Sequence, residues 1–265
     1  MSTTTAKRAW KKFPHADKTF VYAGAALKKN WERLHCGDRE PYPADPAVQE
    51  AWRLYHQGEF HAACEAGLAA GLDGYNAANK AAMIYATYLE DDDKRKLEIF
   101  QAISARCDEL QRAQPKNVNA HYFQAYALGR YSQGISVLKA LTDGLGGRIK
   151  SALEATLRLE PKHAEAHSAL GAYHAEVVDK MGAMVAKLTY GATREIAVKH
   201  FETALKLLPD SAIARIEYAN ALVLLFGDKR MDDAIDLYEK AALAAPAEAM
   251  EKLDVELAKS ELEDE

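Results

Sequence analysis

A chain of 265 residues, 49% of them hydrophobic, is long enough to bury a substantial core, which excludes global disorder. Its net charge of -5 gives no general electrostatic reason to hold nucleic acid or an anionic membrane, so neither is expected as a partner. Cys36, Cys64 and Cys107 are too few and too scattered for a disulfide framework. With no apolar run of secretory or membrane-spanning length, the chain is expected to be cytoplasmic.

The charge is uneven. Residues 1–39 carry nine Lys/Arg against three Asp/Glu, and residues 247–265 carry eight acids against two lysines. The ends can attract each other, draw a second copy into a homo-oligomer, or lie solvated and apart.

In chain order, Phe20, Leu27, Trp31 and Leu34 stand near helical spacing and predict a basic helix over about 17–35. Pro41, Pro43 and Pro46 then make an extended connector, because proline disfavours helix in the residue before it. Residues 1–44 are read as this helix and connector, residues 45–246 as a helical repeat domain, and 247–265 as an acidic helix that caps the last repeat. No convincing alternating strand appears, so the fold class is all-α. Around Gln57, QGEFHAACEAGLAA reads as a turn and a second helix. The run LEDDDK, Leu89 to Lys94, reads as a solvated turn with an aspartate cap for the next helix.

The informative comparison is internal. NAHYFQAYALGRYSQGISVLKALTDG from Asn119 and EAHSALGAYHAEVVDKMGAMVAKLTYG from Glu165 share an Ala-His start and a Leu-Thr-x-Gly end. Ala120, Phe123, Ala127, Tyr131, Ile135, Leu138 and Leu141 step by three or four, as do Ala166, Leu170, Tyr173, Val177, Met181, Met184 and Leu188. Each set predicts one helix of about 23 residues, roughly 35 Å long. A glycine and a shorter amphipathic helix ending in proline follow each. Four such endings place Pro115, Pro161, Pro209 and Pro246 at intervals of 46, 48 and 37 residues.

Ala197, Phe201, Ala204 and Pro209, then Ala234, Tyr238, Ala241 and Pro246, and the pair Leu170-Gly171 resemble the tetratricopeptide-repeat (TPR) pattern, in which A-x3-F-x2-A-x4-P marks the second helix of a hairpin. The resemblance covers about residues 47–246 and implies a right-handed α-α superhelix of four to five TPR-like hairpins. Two repeats exceed the usual 34 residues by about a dozen, placed on the first helix and the turn. In this they look like the T-component of TRAP transporters and, more distantly, the regulators of microtubule dynamics. The lipoprotein signal and lipidated cysteine of those T-components are not seen, so transport coupling is not carried over.

GLGGRIKS, Gly144 to Ser151, approaches the phosphate-binding pattern G-x-x-x-x-G-K-[ST], with Ile149 in place of the second glycine. A phosphate loop needs a strand before it, whereas a helical stripe precedes this one, so Gly144 is read as a hairpin turn. No G-x-S-x-G elbow, Cys-His nucleophile context or dinucleotide turn is present, so no catalytic residue and no cofactor is assigned. His163, His167 and His174 share a helix face, and His35, Cys36, His61 and Cys64 form a second set of soft ligands. They support the alternative of a metal- or small-molecule-binding helical protein, conceivably an enzyme, although no metal ligand is assigned because no zinc spacing is matched.

The remaining candidate is the concave wall of the superhelix, which first helices line and which takes peptides or partner helices. The resemblance places Asn119, Tyr122, Tyr126 and Arg130, then Glu165, Ser168 and Glu176, then Ile216 and Asn220 on that wall. Tyrosine, asparagine and arginine suit recognition of a protein or peptide. The expected function is a non-catalytic scaffold, with the wall either open to such a ligand or filled by the protein's own side chains.

Overall fold

The computed structural model describes residues 9–136, 139–140 and 143–263. Its α-helices run α1 Ala25–Leu34, α2 Pro46–His56, α3 Phe60–Ala69, α4 Tyr75–Tyr88, α5 Asp93–Ala113 and α6 Val118–Gln133. They continue with α7 Leu145–Leu159, α8 Ala164–Met181, α9 Arg194–Leu207, α10 Ala212–Phe226, α11 Met231–Ala242 and α12 Ala249–Glu263. Five antiparallel hairpins, α2–α3, α4–α5, α6–α7, α8–α9 and α10–α11, stack in sequence, and no strand occurs among the described residues.

One turn design, used three times, joins the last four of these hairpins. Pro115, Pro161 and Pro209 are each followed two residues later by an N-cap, Asn117, His163 or Ser211, whose side chain accepts the N–H of Ala120, Ala166 or Ala214. Such a cap satisfies one of the donors that a helix start leaves free. Six residues after each proline, a side chain donates back to the proline carbonyl: His121 at 3.0 Å, His167 at 3.1 Å and Arg215 at 2.5 Å. His121 and His167 therefore lock the turns between successive hairpins.

The second-helix pattern is explained by packing. Ala197, Phe201 and Ala204 are wholly buried, and a Cβ added at Gly171 would lie 2.8 Å from the Phe201 ring. The Leu-Gly pair thus exists to let that ring against the first helix.

Three expectations about helix length are corrected. The N-terminal helix starts at Ala25, because Gly24 takes φ +56° and leaves only a short turn at Lys18–Phe20 before it. The first long helix ends at Gln133, with Gly134 next; Leu138 and Leu141 of its stripe lie outside the described residues. The second ends at Met181 because Gly182 takes φ +74°, and a short turn and a π-helical segment, Ala186–Tyr190, follow. Met184 and Leu188 are about four-fifths exposed there instead of continuing a buried stripe.

Gly144 takes φ +63° as the N-cap of α7, the left-handed region that glycine enters without a Cβ clash. That helix begins at Leu145, and Leu145, Ile149 and Leu153 are among its buried residues. Lys150 pairs with Glu154 one turn on, at 3.0 Å. At LEDDDK, Asp92 caps α5 by accepting the N–H of Arg95.

Described segments near the two ends of the chain meet. Helix α12 covers the last hairpin through Val255 and Ala258, which share an apolar cluster with Ala212, Ile216 and Ala241. Its opposite side turns towards the first hairpins: the Tyr22 hydroxyl donates to the Ala247 carbonyl, Tyr55 donates to Met250 Sδ, and Tyr88 to Asp254. Arg33 grips Glu251 with both terminal nitrogens, at 2.7 and 3.0 Å. Of the fates open to the charged ends, the first is realised within one chain.

Candidate functional site

The concave side encloses a cavity of about 170 Å³ whose wall is built by the first helices of successive hairpins, α4, α6, α8 and α10, with α12 and the face of α7. Helical spacing decides who faces it. Tyr122, Tyr126 and Arg130 stand four apart along α6, and Glu165, Ser168, Ala172 and Glu176 step by three and four along α8. Six of the residues singled out from the sequence thus line one space: Tyr122, Tyr126, Arg130, Glu165, Ser168 and Glu176.

Three others lie elsewhere. Asn119 is buried behind the wall, donating to the Asp38 carbonyl at 3.1 Å and to Glu40, and paired with His163 Nε2 at 3.0 Å. Ile216 is buried beneath α12, and Asn220 accepts from Tyr238 on the outer side at 2.7 Å. The last hairpin instead offers Ile213, Ala214 and Glu217. The register was misread because α10, AIARIEYANALVLLF, is apolar on nearly every side, so periodicity does not say which face points where.

The floor is an ionic cluster that the sequence reading missed. Lys80 on α4 is 1% exposed and bonds Asp38 and, at 3.2 Å, Glu165. His35 Nδ1 sits 2.9 Å from the other Asp38 oxygen. Burial alone would push the Asp38 carboxyl up, but the Lys80 ammonium and His35 together hold it well below the usual carboxylate range. Lys80 is likewise opposed by burial and raised by Asp38 and Glu165, so it stays charged. A lone lysine inside NAANKAAMIYATY was the available signal: a cation amid so many apolar residues must be paired inside the fold.

Three carboxyls near this floor are not compensated so well. Burial pushes Glu165 up to about 6 even beside Lys80, and lifts Asp254 and Glu248 to about 8. Glu248 is hydrogen-bonded to His56, whose imidazole burial drives down to about 3. One proton is therefore held by the pair as a unit through neutral pH.

At the mouth, Arg130 contacts Glu217 at 3.2 Å and lies over the Tyr126 ring at 5.3 Å from its centre. Gln133 donates to Glu176 at 2.7 Å, and Thr87 meets the Tyr126 hydroxyl at 2.9 Å. These contacts hold Tyr126 and Arg130 in defined orientations while leaving both partly exposed.

A crystal structure of a thermophilic TPR protein from Thermus thermophilus matches with a TM-score of 0.56 at 16% identity, over 81% of this chain and 97% of that one. The fold is a TPR-like superhelix. No family model and no curated relative matches the chain. Within this superhelix neither His/Cys set gathers as a whole at one point. His163 is a buried helix cap, His167 is a turn lock whose Nδ1 lies 2.9 Å from Nδ1 of His200, and His174 stacks on His200. His35 and His56 belong to the ionic floor, His61 is a surface residue, Cys64 is buried in α3, and Cys36 donates to the Arg33 carbonyl. Among the described residues no group of three or more His, Cys, Asp or Glu is arranged to hold a metal ion, and no helix is long and apolar enough to cross a membrane.

Proposed function

We propose that the protein is a non-catalytic helical-repeat scaffold whose concave side takes a segment of a partner protein or peptide. The observation that carries this reading is the convergence of Tyr122, Tyr126, Arg130, Glu165, Ser168 and Glu176, from two hairpins, on one partly open cavity. Two tyrosines and an arginine give contact area with few rotors together with bidentate donors, the composition of interface anchors. The cavity is bounded by α12, so a partner enters beside the protein's own C-terminal helix, between α6, α8 and α10, and need not displace it.

The test is the double variant Tyr126→Ala, Arg130→Ala, at two positions on the mouth. It is expected to keep the far-UV circular dichroism of the parent and to lower recovery of co-purifying partners more than tenfold in quantitative affinity enrichment. Unchanged recovery refutes the reading.

A further inference from the structure

Carboxyl groups outnumber cations on the cavity wall. Four carboxyl groups line it: Glu165, Glu176, Glu217 and Asp254. Lys80 is divided between Asp38 and Glu165, Arg130 is committed to Glu217, and Glu176 has Lys180 at 3.1 Å on the rim. Asp254, 3% exposed, accepts from Tyr88 and is paired with no cation among the described residues. An anion would have to strip Lys80 or Arg130 of a partner, whereas a cation supplies what the wall lacks.

A second observation comes from another helix. Ser168 on α8 is 9% exposed and lines the cavity, and its hydroxyl makes no hydrogen bond among the described residues. The other groups on this wall suit a cation on an alkyl stem. Tyr88, Tyr122 and Tyr126 line it with aromatic surface, and Met83, Ile84 and Leu153 give apolar surface. Tyrosine faces in this part of the fold already sit under cations, Arg130 over Tyr126 at 5.3 Å and Lys80 over Tyr55 at 5.9 Å.

We infer that the cavity is a site for an alkylammonium group and that the residue a partner segment places in it is a lysine. The second half rests on the groove reading above. The ammonium meets Asp254 and the Ser168 hydroxyl while the four-carbon stem lies against the apolar wall. Burial, which holds the Asp254 carboxyl up at about 8, is offset once a cation stands beside it.

Titration of n-pentylamine, 1-pentanol and pentanoate into the full chain, followed by calorimetry and amide NMR shifts, tests the first half. Pentylamine is expected to saturate a single site at least tenfold more tightly than pentanol, with no binding of pentanoate. Asp254→Asn should weaken pentylamine at least tenfold. Ser168→Val, which replaces the hydroxyl on α8 by one methyl group and adds a second to the cavity wall, should abolish binding and decides the matter if Asp254→Asn loosens α12. Pentanol binding as tightly as pentylamine, tighter pentanoate, no amine binding, or an amine affinity untouched by both variants overturns the assignment.

The source is separated by a capped Gly-Gly-Lys-Gly-Gly peptide and its norleucine counterpart. Preference for lysine supports a partner side chain, whereas equal peptides beside tight pentylamine binding overturn that half and assign the cavity to a free amine. If pentylamine fails to bind while the Tyr126/Arg130 variant still loses its partner, this inference falls and the scaffold reading stands.

Discussion

At the scale of single residues, the burial of ionisable groups makes stability depend on pH in a direction that can be worked out. Asp254 and Glu248 have folded pKa values near 8, far above their values in an unfolded chain. A group whose pKa is raised by folding contributes stability that is fully present below its unfolded pKa and is lost as pH rises through the folded one. The buried histidines act oppositely: His56 and His163, driven down to about 3 by burial, cost stability only as pH falls below about 6.5, where the unfolded chain takes up protons. Between pH 7.5 and 9 the carboxyls dominate. Unfolding in urea should show a loss of about 1–2 kcal/mol across that window, roughly halved in Asp254→Asn. A flat profile contradicts the protonated state assigned to this pair of carboxyls. The cluster also shows what a single sequence conceals. Lys80 was legible as a cation that had to be paired, but Asp38 and Glu165 lie 42 and 85 residues from it, and only the fold brings them together.

At the scale of the element, helix type was legible while helix length was not. The three- and four-residue steps from Asn119 and Glu165 identify helices correctly, yet glycine at 134 and 182 ends both before the apolar pattern does. Periodicity survives a break because the segment beyond it can remain helical with its apolar side chains turned outward, as Met184 and Leu188 are. The same limit moved the candidate wall. On α6 and α8 polar residues alternate with apolar ones and give the register, whereas on α10 nearly every side is apolar and Ile216 was placed on the wrong face. Helix α12 has an energetic consequence of its own. It buries Leu253, Val255 and Ala258 and holds the Tyr88 hydroxyl, and Glu248 immediately before it partners His56. A chain ending at Pro246 should therefore lose several kcal/mol, since each large buried side chain contributes about 2–5 kcal/mol and the abandoned polar groups add their desolvation cost. Thermal denaturation checks this, and an unchanged midpoint would mean that α12 is only loosely docked.

At the scale of the whole molecule, the repeat pattern carried the architecture, because each hairpin buries its apolar stripe against its neighbours and that stripe is written in the sequence. Closure was not written there. The basic segment at Arg33 and the acidic segment at Glu251 were legible as opposed charges, but their contact across 218 residues follows from the curvature that five stacked hairpins accumulate. Closure divides the concave side between α12 and a cavity of about 170 Å³, which suits a few side chains of a partner and excludes a whole second helix. The claim that this mouth is the working surface is tested most directly by site-specific photocrosslinking, with a benzoylphenylalanine placed at Tyr126 or at the exposed Glu202 of α9 and irradiated in the cells from which the protein is drawn. A discrete adduct is expected from position 126 that Arg130→Ala removes, and none from position 202. Equal adducts from both positions, or an adduct from 202 alone, would contradict it.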